Sequence, residues 1–175
     1  GEGTGKLYID GVEAFAGVVV EDLAGLQAAL NGTLPIVLNK PIVVEEGDVT
    51  LDLNGKNVTA PTSSAFEVKG GKLTIKNGNV TAYEAVVRAI GGEVVIESGK
   101  YVQTGTAVDT PSTYRYCVDV REGGKATING GEFTSGNGML NVNSEGELIV
   151  NGGKFTNNVE KSMTRHFAYV SGKLT

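Results

Sequence analysis

A short unit recurs along this chain and leaves few folds open to it. Gly71-Lys72-Leu73-Thr74-Ile75-Lys76-Asn77-Gly78-Asn79-Val80-Thr81 returns as Gly92-Glu93-Val94-Val95-Ile96-Glu97-Ser98-Gly99-Lys100-Tyr101-Val102. It returns again from Gly124 to Thr134 and from Gly146 to Thr156, and starts once more as Gly172-Lys173-Leu174-Thr175. The leading glycines are 21, 32, 22 and 26 residues apart, and in each complete copy a second Gly follows seven residues after the first. The unit is therefore fixed and only its connection varies. A base period of about 21 to 22 residues, rich in β-branched side chains, suits one coil of a parallel β-helix. A propeller blade needs about 40 residues, and a leucine-rich repeat needs a Leu/Asn consensus that these copies lack.

Equivalent positions in successive copies carry the stronger signal. The residue after the leading Gly runs Lys72, Glu93, Lys125, Glu147, Lys173, changing sign at each step. The residue after the second Gly runs Asn79, Lys100, Glu132, Lys154, and a third series runs Glu67, Arg88, Asp119, Asn141. If coils pair as strands about 4.8 Å apart, opposite charges in a column attract and like charges repel. Apolar columns agree: Leu73, Val94, Ala126, Leu148; Ile75, Ile96, Ile128, Val150; and Val58, Val80, Tyr101, Phe133, Phe155, which gains aromatic bulk toward the C-terminus. Phe66, Val87, Val118, Leu140 and, two places on, Val68, Ala89, Val120, Val142 fill another strand. Each coil thus supplies at least two short strands, and the first recognisable coil includes 49–55. Asn54, Asn77, Asn129 and Asn151 each precede Gly, at turn positions where left-handed backbone is tolerated.

The N-terminal part reads differently. Leu7 to Phe15 alternates apolar and polar residues about Asp10-Gly11, a pair suited to a tight hairpin turn. Glu21 to Leu30 reads as one helix, with Glu21 and Asp22 at its positive end, Leu23, Leu26 and Leu30 on one face, and Asn31-Gly32 as its stop. Its Leu face has a natural seat on the open end of a stack of strands. The expected organisation is 1–19 as a hairpin or attachment segment and 20–175 as a capped β-helix, truncated or continued at its C-terminal end. Thr175 falls inside a repeat, so an unpaired strand edge there needs a cap, a partner or more chain. The first residues hold neither an initiator Met nor a secretory signal, as in a fragment or processed chain.

Composition narrows the function classes. Gly makes up 26 of 175 residues, about twice the usual ~7%, but with only 4 Pro the chain cannot be collagen. A hydrophobic content of 40% with 20% charged residues supplies one core. The net charge of −5 argues against nucleic acid and anionic membranes, which call for a cationic face. No run approaches the ~18 to 20 apolar residues of a membrane-spanning helix. The single Cys cannot form an internal disulfide.

These residues resemble the right-handed parallel β-helices of the pectate-lyase-like group. The resemblance covers roughly residues 20–175 and rests on Leu26-Gln27-Ala28-Ala29-Leu30, on Leu51-Asp52-Leu53-Asn54-Gly55-Lys56 and on the Gly-Gly-Lys-Leu-Thr-Ile style of repeat. With the hairpin and helix read above, the expected fold is an all-β, right-handed parallel β-helix with an N-terminal hairpin and one short capping helix. The resemblance also implies an extended, rigid, often trimeric shaft or adhesin, similar to bacterial surface proteins and to head fibres and tail spikes of tailed phages.

Enzymes of the group use Ca²⁺-binding carboxylates with a basic residue, or paired Asp residues. None of those carries over. Asp52, Glu67, Arg88 and Asp119 are expected on an exposed face, where alternating charge reads as a salt ladder rather than a carboxylate cluster. Cys117, beside Val118, reads as a buried or half-buried thiol. His166 is the only His, placed in a terminal strand, and no Cys/His pair, metal set, P-loop or nucleophile elbow is present. The sequons at Asn31, Asn57 and Asn79 read as accidents of Asn- and Thr-rich turns. Function has most room in the long insertion 103–115, where Asp109, Tyr114 and Arg115 are the candidate partner- or glycan-binding residues. No catalytic residue, cofactor or metal is assigned. The expected role is a non-enzymatic virion protein of capsid-decoration or head-fibre type, displayed on the virion surface as a homo-oligomer and binding other virion proteins. The alternatives are a bacterial cell-surface adhesin or carbohydrate-binding β-helix, and a polysaccharide lyase or hydrolase.

Overall fold

The computed structural model describes residues 4–106, 115–158 and 167–175, with the backbone alone for 4–9 and 12–16. The chain is a parallel β-solenoid of about six turns. Each turn contributes three strands rather than the minimum of two. The first coil is β3 (Ile36–Leu38), β4 (Ile42–Val44) and β5 (Asp48–Asp52), and so begins before the first repeat legible in the sequence. The second is β6 (Asn57–Ala60), β7 (Phe66–Val68) and β8 (Lys72–Lys76), and the third β9 (Gly78–Ala82), β10 (Val87–Ile90) and β11 (Glu93–Ile96). The fourth is β12 (Gly99–Gln103), β13 (Tyr116–Arg121) and β14 (Lys125–Ile128), and the fifth β15 (Glu132–Ser135), β16 (Gly138–Val142) and β17 (Glu147–Val150). The sixth is β18 (Lys154–Asn157), β19 (Ala168–Val170) and β20 (Lys173–Leu174). Stacking gives three parallel sheets: A through β3 and β18, B through β4 and β19, C through β5 and β20.

The registers are those of the sequence columns. Lys72, Glu93, Lys125, Glu147 and Lys173 stand above one another in sheet C, with Asp48 heading the series in the sign the alternation requires. Asn79, Lys100, Glu132 and Lys154 align in sheet A. Inward of these, Tyr101, Phe133 and Phe155 stack with centroids 5.1 and 4.9 Å apart, offset-stacking distances that add to their burial. Leu73, Ile75, Val80, Val118 and Val142 are fully buried, so the core is a continuous apolar column inside the coil.

The two fixed glycines serve different needs. A Cβ on Gly92 would lie 2.6 Å from Val68 Cγ1, and one on Gly124 2.7 Å from the Ala89 carbonyl carbon, so the leading Gly is set by the closeness of the coil before it. Gly99, Gly131 and Gly153 have φ of +126, +112 and +114°, backbone that L side chains avoid. This corrects the expectation for the asparagines. Asn54 and Asn77 are left-handed, at φ +51 and +54°, but Asn129 and Asn151, each followed by two glycines, pass that geometry to Gly131 and Gly153. Their amides ladder instead, Asn151 Nδ2 donating to Asn129 Oδ1 at 2.8 Å.

At the N-terminal end β1 (Thr4–Ile9) and β2 (Val12–Val20) form the antiparallel hairpin, with Asp10 and Gly11 both at positive φ, the geometry of a tight primed turn. β2 then pairs in parallel with β3 through Val18–Val20, so one strand runs from the hairpin into sheet A. Helix α1 (Leu23–Ala29) packs on β2 and β4. Leu26 is fully buried, with Leu23 and Leu30 partly buried against the core. Of the acidic pair, only Asp22 meets the helix's N-terminal end as expected. Asp22 is the N-cap, accepting from the Gly25 amide at 2.7 Å, while Glu21 turns away to Asn39 and Lys40.

Candidate functional site at the corner between sheets A and B

The turns from B to C and from C to A are short and mostly pinned by glycine. Both long repeat separations, 32 and 26 residues, arise at the third corner, between β12 and β13 and between β18 and β19. The tight turn 136–137 lies between them in the stack. Insertions at one corner of a rigid scaffold share a side of the molecule, and that is where a binding surface can be built.

Polar groups enter the interior here. The inward column at the end of sheet A runs Ala60, Ala82, Gln103, Ser135, Asn157, turning polar where the insertions begin. Gln103 Nε2 donates to the Tyr83 and Gly105 carbonyls at 2.9 and 2.8 Å. Ser135 Oγ lies 2.8 Å from Gln103 Oε1 and accepts from the backbone N–H of Asn137 at 3.0 Å. Asn157 Nδ2 donates to the Asn137 carbonyl at 2.9 Å. The Asn137 side chain is buried with neither side-chain amide atom hydrogen-bonded among the described residues, which is uncommon for a polar group inside a protein.

The outer face of sheet B corrects the expectation of an exposed ladder. Glu67, Arg88, Asp119 and Asn141 are in register, but the Asp119 side chain is only 1% exposed. β13 and β16 are buried on both faces, whereas β7 is buried on one. Asp119 accepts from Arg88 Nε at 3.1 Å, Arg121 Nε at 2.9 Å and Asn141 Nδ2 at 2.7 Å. Arg88 also meets Glu67 at 3.2 Å and Glu84 at 3.6 Å. Burial opposes the Arg121 charge, but the hydrogen bond and negative charge of Asp119 outweigh it and hold Arg121 above its ordinary pKa. Asp52, grouped with these residues in the sequence, lies in sheet C opposite Lys76. The Asn77 amide, then the Asn54 N–H, hold its carboxyl below the ordinary value, with help from Lys76.

Of the candidate binding residues, Asp109 and Tyr114 lie outside the described residues, as does His166. Arg115 is described. Its guanidinium sits over the Tyr83 ring at 4.7 Å and Nη1 donates to the Thr106 carbonyl at 3.0 Å, so Arg115 ties itself to Thr106 and, by a cation–π contact, to the coil below. Sequence reasoning missed Tyr83, Glu84, Gln103, Ser135 and Arg121. A signal was present in the apolar doublets Cys117-Val118 and Met139-Leu140, all buried. Adjacent buried residues break the period-2 pattern and mark a strand covered on both sides. Cys117 is fully buried, and burial pushes its thiol up to about 12, so it is an unreactive packing residue.

Among the described residues no three His, Cys, Asp or Glu side chains group as a metal site, and no helix is long and apolar enough to cross a membrane. No protein-family model matches the chain, nor does any curated protein or solved structure match it.

Proposed function

We propose that the chain is a non-enzymatic structural and binding module, a rigid β-solenoid of the kind displayed on tailed-phage virions as a capsid decoration or head fibre. The observation that supports this most is the use made of the polar residues. The charges of sheets A and C alternate from rung to rung, and the buried carboxylate of sheet B is held by two arginines and an amide. Side chains committed to stacking hold a shaft rigid, and the variable corner is left to make contacts. The resemblance to phage and bacterial surface β-helices supplies the setting and the homo-oligomer, for which a trimer is the expected form. Cosedimentation with intact tailed-phage capsids tests the reading, and absence of saturable binding counts against it.

The insertion corner favours one further reading, a bacterial surface adhesin or carbohydrate-binding module. Its features are the Arg115–Tyr83 stack and the buried polar column beneath it. Binding on a glycan array that is lost in Arg115→Ala supports that reading over the virion one. Polysaccharide cleavage is tested by incubation with anionic glycans, with and without Ca²⁺. New reducing ends or unsaturated products would sink both non-enzymatic readings.

A further inference from the structure

Six Asn-Gly steps occur in the chain, with Asn at 31, 54, 77, 129, 137 and 151. Such a step carries its own reaction. The Gly N–H can give up its proton to water and the nitrogen attack the Asn side-chain Cγ, since no Cβ on glycine stands in the way. A succinimide closes and the side-chain nitrogen leaves as ammonia, taking its proton from water. A water molecule then opens the ring at either carbonyl, to aspartate or to isoaspartate. The sum is water consumed and ammonia released, with no change of oxidation state.

What separates the six is the Gly N–H, which is held back from attack while it is hydrogen-bonded. The fold ties five of them. Gly32 donates to the Ala29 carbonyl at 3.0 Å, Gly55 to Asn77 at 2.7 Å, Gly138 to Arg115 at 2.9 Å and Gly152, most weakly, to Ile128 at 3.4 Å. The Gly78 N–H is taken by the Tyr101 hydroxyl. The Gly130 N–H has no hydrogen-bond partner among the described residues. The Asn129 side chain, which is exposed, is also set for the reaction. Its Nδ2 donates to both carboxylate oxygens of Glu97 at 3.1 Å, which fixes the amide plane, and its Oδ1 accepts from Asn151 Nδ2 at 2.8 Å. Negative charge builds on Oδ1 as Cγ is attacked, and a donor already aimed at that atom stabilises it. Asn77 Oδ1 also accepts, from Ser98 Oγ at 3.3 Å, but there the glycine nitrogen is occupied.

We propose that Asn129-Gly130 is a modification site, at which the folded chain converts its own asparagine to aspartate and isoaspartate. The product changes the stack at the corner between sheets C and A. With Nδ2 replaced by oxygen, the two contacts to Glu97 turn from hydrogen bonds into a carboxylate facing a carboxylate, and like charges opposed on neighbouring rungs repel. Isoaspartate also lengthens the backbone just before Gly131, whose φ is +112°. Conversion therefore loosens the join between the third and fourth coils, whichever biological setting holds.

The test holds the full chain in mildly alkaline buffer, folded and, in parallel, in denaturant. Peptide mapping by mass spectrometry follows each Asn-Gly step, reading the exchange of NH2 for OH and separating isoaspartate from aspartate. Circular dichroism confirms that the first sample stays folded. Asn129 is expected to convert first in the folded chain, at least about fivefold ahead of the other five, the rate equivalent of one net hydrogen bond of about 1 kcal/mol. In denaturant that lead should vanish, because the hydrogen bonds that distinguish the six steps are gone. Asn151→Ala, at an exposed position, removes the donor from Oδ1 and should slow conversion at Asn129 severalfold in the folded chain. A different step converting first, no conversion in the folded chain, the same lead in denaturant, or a rate unchanged or raised by Asn151→Ala would each overturn the proposal.

Discussion

Replacing Asp119 by Ala is the sharpest probe of the outer face of sheet B. Three groups lose an acceptor, and their fates differ. Asn141 is 8% exposed, so its orphaned amide costs about 1 to 3 kcal/mol. Arg88 keeps Glu67 at 3.2 Å and Glu84 at 3.6 Å, so it is not left as an unpaired buried charge. Arg121 has a side chain 42% exposed and can turn to water, so its share is held to about 0 to 1 kcal/mol. The expected loss is about 1 to 4 kcal/mol, below the ~3 to 5 kcal/mol of a fully buried pair broken on one side. At ~2 to 4 °C per kcal/mol for a chain of this size, Tm falls by roughly 2 to 16 °C. The assay is urea and thermal unfolding followed by circular dichroism, at about 0.05 M and about 1 M NaCl. A buried network is screened little by salt, whereas exposed ladders are screened strongly, so the Asp119→Ala penalty should persist at high salt. A penalty below about 0.5 kcal/mol, the scale of an ordinary surface substitution, would refute the reasoning, as would one that vanishes in high salt.

Three further outcomes are expected. Phe133→Ala, which removes the middle ring of the Tyr101–Phe133–Phe155 stack, should cost about 3 to 5 kcal/mol in denaturant unfolding. Gly124→Ala should destabilise more than Gly123→Ala. The first forces a Cβ to 2.7 Å from Ala89 backbone, while the second meets only left-handed backbone in open space, at about 1 to 2 kcal/mol; the reverse order in melting would show that coil spacing is not what selects the leading Gly. Asp52 and Glu147 both titrate below their ordinary values of 3.8 and 4.5, held down chiefly by hydrogen bonds from Asn77 and from Lys173. With folded pKa values depressed, their stabilisation is present above the unfolded values and is lost as pH falls through the folded ones. Asp52→Asn with Glu147→Gln should therefore flatten the loss of stability below about pH 4.5, measured as the slope of unfolding free energy with pH.

What the sequence could and could not disclose follows from how a coil is built. A column is a one-dimensional object, since each rung repeats the same contact with the next. Thus Lys72 against Glu93 or Tyr101 against Phe133 is legible from spacing alone, before any coordinate. The corner between sheets A and B obeys no such repetition, because its connections differ in length from coil to coil. Asp119 shows the consequence. Its place between inward-facing Val118 and Val120 correctly sets its side chain on the outer face, and outward is ordinarily the same as exposed. Here it is not, because Arg88, Arg121 and Asn141 converge on it and β13 is covered on both sides. The same column that reads as a solvated ladder permits burial, since a carboxylate set between Arg88 and the Asn141 amide, with Arg121 two places on along its strand, can be withdrawn from water without standing unpaired. Register thus fixes which residues meet, whereas the depth at which they meet is decided by the irregular connections, and a candidate site on a solenoid lies where those two rules part.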